Sequence, residues 1–162
     1  MSCFFQTYPV ELTYYQIITD KCLAPLNPTF SHIVEMMKER HNLRIRRWRR
    51  TMSGCAWRVF YDDGRTVNFV ESPYPKTPIS LAVFLHEVGH HAIGFNTYRQ
   101  RCEEEYHAWM WAINQMRKFG IEPDERVWRR FKLSMQYAVG KALRRGIKNL
   151  PHDLHEFVPK AA

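Results

Sequence analysis

The order of periodicities along the chain predicts an α+β fold, in which a small antiparallel β-sheet packs against one helix and further helices follow toward the C-terminus. Three observations carry this. Residues 43–70 contain runs of period 2, and helical periods lie on both sides of them. A proline-rich segment, Ser72-Pro-Tyr-Pro-Lys-Thr-Pro78, separates the strands from the helices downstream. The 162 residues are 45% apolar and include five tryptophans, enough to bury one core. The expected organisation is a single domain over 1–162, with a core at about 28–120 and a basic helical extension at about 121–162.

The elements follow in order. Glu11 to Leu23 has the length of a short helix, which Pro25-Leu-Asn-Pro28 breaks. Asn27 or Thr29 can cap the next helix, whose apolar positions Phe30, Ile33, Val34 and Met37 are spaced for one face, and which should end near His41-Asn42. Leu43-Arg-Ile-Arg-Arg-Trp48 then alternates as a half-exposed strand, with Trp48 toward the core and the arginines outward. Ala56–Tyr61 and Arg65–Val70 flank Asp62-Asp63-Gly64, the signature of a hairpin.

Ser80 is the expected N-cap of the helix through Ile93, and Gly94 with Asn96 ends it. A helix from Arg101 to Phe119 is closed by Gly120. The last helix starts at Pro123-Asp-Glu125 and ends near Arg145 and Gly146. Its positions Val127, Trp128, Phe131, Met135, Ala138, Val139 and Leu143 read as a core face, with a basic face opposite.

No apolar stretch reaches the roughly 18 residues of a membrane span, and the first residues lack the pattern of a secretory signal. Cys3, Cys22, Cys55 and Cys102 are scattered without a Cys-x-x-Cys pair, so reduced thiols in a cytoplasmic protein are expected. The net charge of +8 concentrates in Arg44–Arg50 and in the last helix. Such charge suits acidic partners, nucleic acid among them, and serves equally as a solvated face, since no nucleic-acid recognition motif accompanies it.

The chemistry is concentrated in Phe84-Leu-His86-Glu87-Val-Gly-His90-His91. On a helix, positions i and i+4 share a face, so His86 and His90 can direct their rings at one metal ion. Glu87 then reaches a water on that ion and acts as general base for hydrolysis, with zinc as the expected ion. A catalytic zinc site has three protein ligands and an open position. The third is sought in Arg101-Cys-Glu103-Glu104-Glu105-Tyr-His107. Glu105 heads the apolar stripe of Trp109, Ala112, Ile113 and Met116, which favours it. Glu103 and Glu104 are expected to face solvent or to complement the helix N-terminus.

Glu104 and His107 stay open as alternatives to Glu105. His91 points about 100° away from the ligand face. Tyr98, Tyr106 and His107 are candidates for stabilising an oxyanion, and His152 and His155 receive no role.

The pairing of His86-Glu87-Val-Gly-His90 with Glu103-Glu-Glu-Tyr-His-Ala108-Trp109 resembles the ImmA/IrrE family of minimal zinc metallopeptidases, over about residues 55–118. The resemblance implies a zincin-like fold, a peptidase acting on a specific intracellular protein, His86, His90 and a glutamate such as Glu105 as zinc ligands, and Glu87 as base. Tyr106-His107-Ala108-Trp109 departs from the family's pattern after the glutamate, and Glu122–Pro151 matches no part of its core. A site with His107 as third ligand would instead look like the SprT/Spartan type of DNA-associated metalloprotease. A basic nucleic-acid-binding module with a structural metal or none is the reading from a different class.

Overall fold

The computed structural model describes residues 28–159; the helix expected over Glu11–Leu23 lies outside them, as do Cys3 and Cys22. Helix α1, Phe30–Arg40, starts where the Thr29 hydroxyl accepts the His32 N–H, and it buries Ile33, Val34 and Met37. Three strands follow: β1 Leu43–Arg49, β2 Cys55–Phe60 and β3 Thr66–Pro73. Three long helices come next: α2 Pro78–Ile93, α3 Arg101–Lys118 and α4 Glu125–Arg144. A 3-10 turn over His152–Phe157 then buries Leu154 and Phe157 in a tail that shows no sequence pattern.

The architecture is α+β. The strand order is β1-β3-β2, and β2 and β3 form the expected antiparallel hairpin around Gly64, whose φ is +81°. The sheet is mixed rather than antiparallel, because β1 pairs with β3 in parallel. The chain leaves β1, skips one strand position to lay down β2, and the hairpin returns β3 into the gap. The register slips between Ile45 and Arg47. This bulge moves Trp48 onto the inner face that Leu43 and Ile45 occupy, where its ring meets Tyr74 and Phe84.

The basic run on β1 is partly neutralised within the fold. Arg46, Arg47 and Arg49 all approach the buried Glu71 carboxylate on β3, at 3.7, 3.2 and 3.0 Å. Burial would raise the Glu71 pKa, but the arginines outweigh it and hold the group below the usual glutamate value.

Helix α2 begins three residues earlier than expected. Thr77 is the N-cap, Pro78 occupies the first turn, and Ser80 completes a capping box with Thr77. Every residue from Ser80 to His91 is buried, because the sheet covers one side of α2 and α3 the other. The close approach of the two helices is set at Gly89: a Cβ there would stand 2.7 Å from the Ala108 carbonyl oxygen. On α4, Val127, Phe131, Met135 and Val139 pack inward as expected. Trp128 and Leu143, assigned to the same face, are exposed instead, since they lie at the edges of the stripe. No helix of the described residues is long and apolar enough to cross a membrane.

Candidate metal centre

Helix α2 brings His86 and His90 one turn apart, and α3 places Glu105, just past its first turn, against both. Glu105 Oε2 lies 3.2 Å from His86 Nε2 and 3.6 Å from His90 Nε2. Ligands at 2.0–2.1 Å around a tetrahedral ion are separated by about 3.3 Å, so the two measured distances suit a single ion. Ligand atoms of the three residues all lie within 4.8 Å of one another, which makes His86, His90 and Glu105 a group able to hold a metal ion. Two imidazoles and a carboxylate also form a donor set typical of catalytic zinc.

Packing fixes the rings. The Trp109 indole stacks on His86 at 4.4 Å with an interplanar angle of 22°. The His90 ring is backed by Glu104, whose Oε1 lies 3.3 Å from His90 Nδ1 without meeting hydrogen-bond alignment. A carboxylate behind the non-ligating nitrogen of a metal-binding histidine orients the ring and raises its basicity.

This corrects the expectation that Glu104 faces solvent, because its side chain is only 2% exposed. It also accepts the Asn96 backbone N–H at 3.0 Å, which ties the α2–α3 loop to the site. The physical reason is that α3 lies between α2 and α4, so two adjacent stripes are covered where one apolar stripe was expected. Glu105 is the more open of the two, 24% exposed at the mouth of the cleft.

Arg101 joins the two carboxylates. Its Nε donates to Glu105 Oε1 at 3.0 Å, and its Nη1 donates to Glu104 Oε1. That arrangement engages the glutamate oxygen facing away from the histidines and leaves Oε2 for a metal.

Burial and local charge set the protonation states. Burial lowers the His86 pKa to about 4, so its imidazole is neutral at neutral pH, as a ligand must be. Burial also acts to lower His90, but the bond and charge of Glu105 outweigh it and raise the group. For Glu105, burial is outweighed by hydrogen bonds to both histidines, which hold the carboxylate ionised. Glu87 is different: burial pushes its carboxyl up to about 7.

Glu87 lines the same cleft, which has a volume of about 660 Å³ and is also bounded by Gly54, Cys55 and helix α4. Cys55 is an exposed thiol, whose pKa is raised by burial of the sulfur and by the nearby Glu87 charge, while Cys102 is buried.

The remaining candidates are elsewhere. His107 stacks on Tyr98 at 4.2 Å and is not a member of the metal-holding group. His91 points at the sheet, where its Nε2–H donates to the Phe69 carbonyl at 3.0 Å and pins α2 to β3. Tyr106 packs against Phe131 and Phe157. His152 and His155 lie beside each other in the tail. Gly54 and Arg101 are the parts that sequence reasoning missed; Arg101 had one signal, standing three and four residues before the two glutamates on one helix.

No protein-family model, curated protein or solved structure matches this chain.

Proposed function

We propose that this protein is a zinc-dependent metallopeptidase of zincin-like fold, with His86, His90 and Glu105 holding zinc and Glu87 as general base. The supporting observation is the convergence of His86 Nε2, His90 Nε2 and Glu105 Oε2 at one wall of an open cleft that Glu87 also lines. A structural metal would be enclosed by four protein ligands, whereas this group has three and faces a cleft. The likeness of the two helix motifs to ImmA/IrrE-like peptidases supports the same reading, and with it a specific intracellular protein as substrate.

Zinc in such a donor set supplies a Lewis acid and a water acidic enough to act as nucleophile near neutral pH. The chain does the rest. Glu87, with a pKa near 7, accepts a proton from the water whose oxygen bonds to the peptide carbonyl carbon. It returns that proton to the amide nitrogen as the C–N bond breaks and the amine leaves. Arg101 holds Glu105 by its outer oxygen throughout, and Trp109 keeps the His86 ring in plane.

The SprT-like alternative depends on His107 as a ligand, and the Tyr98–His107 stack gives that reading no support. The test is zinc content and hydrolysis of a mixed peptide pool by the wild type and three variants. His86→Ala and Glu105→Ala should both lose stoichiometric zinc, and Glu87→Gln should keep it while losing hydrolysis. A zinc-loaded wild type that cleaves no faster than Glu87→Gln refutes the proposal.

A further inference from the structure

The wall of the cleft opposite the metal group belongs to helix α4. Arg130, Leu133, Tyr137 and Lys141 line it, and Arg145 lies just past the helix end. These positions recur at helical spacing, so they form one stripe facing His86, Glu87 and Glu105 across the gap. The stripe has an apolar centre that solvent reaches: Leu133 is 53% and Tyr137 67% exposed. Its end is cationic, and Lys141 Nζ sits 6.0 Å from the Tyr137 ring. Arg130 is engaged by donating to the Met52 carbonyl at 2.9 Å.

Arg46, Arg47 and Arg49 of β1 are gathered by Glu71, and Arg101 is held by Glu104 and Glu105. Among the described residues, neither Lys141 nor Arg145 has a carboxylate within 4.0 Å, and the only acidic residue within α4 is Glu125 in its first turn. Among the described residues, Arg126, Arg129, Lys132 and Arg144 of the same basic helix also have no carboxylate within 4.0 Å; what sets Lys141 and Arg145 apart from these four is that they line the cleft. A row of cations beside an exposed apolar and aromatic patch, all lining one cleft, is complementary to a polymer with its own carboxylates and apolar side chains.

We propose that the α4 wall selects acidic polypeptide substrates: carboxylates of a substrate segment meet Lys141 and Arg145, and an apolar side chain of the same segment lies on Leu133 and Tyr137. The proposal rests on the peptidase reading of the cleft and adds a substrate class to it. A nucleic-acid strand fits the cleft less well. Glu87 and Glu105 line the side opposite α4, and a strand with a phosphate at every unit would bring negative charge against both. A peptide can confine its carboxylates to the α4 side and present neutral backbone to the metal group.

The test uses two labelled decapeptides of one sequence, differing only in carrying aspartate and glutamate or lysine at the same four positions. Binding is read by fluorescence anisotropy on zinc-loaded Glu87→Gln protein, and hydrolysis on the wild type. The acidic peptide should bind about tenfold more tightly at low salt, the combined worth of two exposed ion pairs, and added salt should erode the difference. In Lys141→Glu/Arg145→Glu the preference should reverse, and in Lys141→Gln/Arg145→Gln it should vanish. Both residues are exposed, so the fold should survive these changes.

Equal binding of the two peptides, or a preference unchanged in the charge-reversed variant, overturns the proposal. So does a DNA or RNA oligonucleotide that displaces the acidic peptide at lower concentration and is itself lost in that variant. The two readings fail separately. Cleavage of both peptides at equal rates sinks the selectivity and leaves the peptidase. Charge-selective binding without cleavage by the wild type keeps the acidic-peptide wall and sinks the peptidase.

Discussion

Gly54, in the loop before β2, and Glu87, on α2, occupy adjoining space: a Cβ built on Gly54 would stand 2.2 Å from the Glu87 Oε1 atom. The missing side chain is therefore what lets the Glu87 carboxyl sit where it lines the cleft. Gly54→Ala is expected to displace that carboxyl, lowering hydrolysis by about 100-fold, a typical share for a general base. Zinc content should remain, since the three atoms nearest that Cβ all belong to Glu87 and none to the three ligands. An alanine variant with wild-type turnover would show that Glu87 does not act from this position.

Gly89, inside the His-Glu-Val-Gly-His motif, fixes how closely α2 and α3 approach, because the atom its Cβ would meet is the backbone oxygen of Ala108. Backbone in a packed helix cannot rotate away as a side chain does. Gly89→Ala should destabilise the protein by about 1–3 kcal/mol through overpacking, roughly a 3–10 °C fall in melting temperature for a chain of this size. It should also weaken zinc binding, because the shift separates the histidines from Glu105. Thermal unfolding with and without a chelator measures both effects.

Glu104 lies behind His90 and touches no ligand position directly, so its loss separates orientation from coordination. Glu104→Gln should keep an acceptor for the Asn96 N–H but remove the charge beside His90 and Arg101. A fall in zinc affinity of about 10–100-fold is expected, read by competition with a chelator of known affinity. Glu105→Gln should cost more, because it removes a ligand. A larger loss in Glu104→Gln than in Glu105→Gln would mean that the ligand and its supporting carboxylate have been assigned the wrong way round.

The metal-free protein should show a pH signature of Glu87. Burial raises the Glu87 pKa from 4.5 to about 7, so its contribution to stability is complete below 4.5 and is lost as pH rises through 7. His86 and His91 are lowered from 6.5 to about 4, so their contribution is present above 6.5 and is lost as pH falls through 4. Between about pH 4.5 and 6.5 the unfolded chain holds two protons that the folded chain lacks, and the folded chain holds one on Glu87. These groups give a net rise in stability with pH of about 1.4 kcal/mol per unit, one proton's worth. Glu87→Gln removes the opposing proton and should roughly double that slope in urea titrations run with chelator. Equal slopes would mean that the Glu87 carboxyl is not held protonated by burial.

Much of this protein is legible from local pattern. Thr29 as a cap, Gly94, Gly120 and Gly146 at helix ends, and the Asp63-Gly64 turn are decided by neighbours within a few residues, and sequence spacing reports such forces directly. So is the pairing of His86 with His90, since one helical turn suffices to bring them together. The stripe of Trp109, Ala112, Ile113 and Met116 favoured Glu105 over its neighbours, but the buried place of Glu104 behind His90 was not legible. Adjacent residues point about 100° apart, and which of them meets the metal group depends on which faces of α3 are covered by α2 and α4.

Other features needed the chain to close on itself. The parallel pairing of β1 with β3, the bulge that carries Trp48 inward, the contact of Gly54 with Glu87 and the facing of α4 toward the metal group all join residues far apart in sequence. Periodicity records which side of an element is apolar, but it does not record what that side packs against. By itself the sequence determined the elements and the His86–Glu87–His90 helix; only the tertiary structure decided which glutamate meets those histidines and which surface faces them across the cleft.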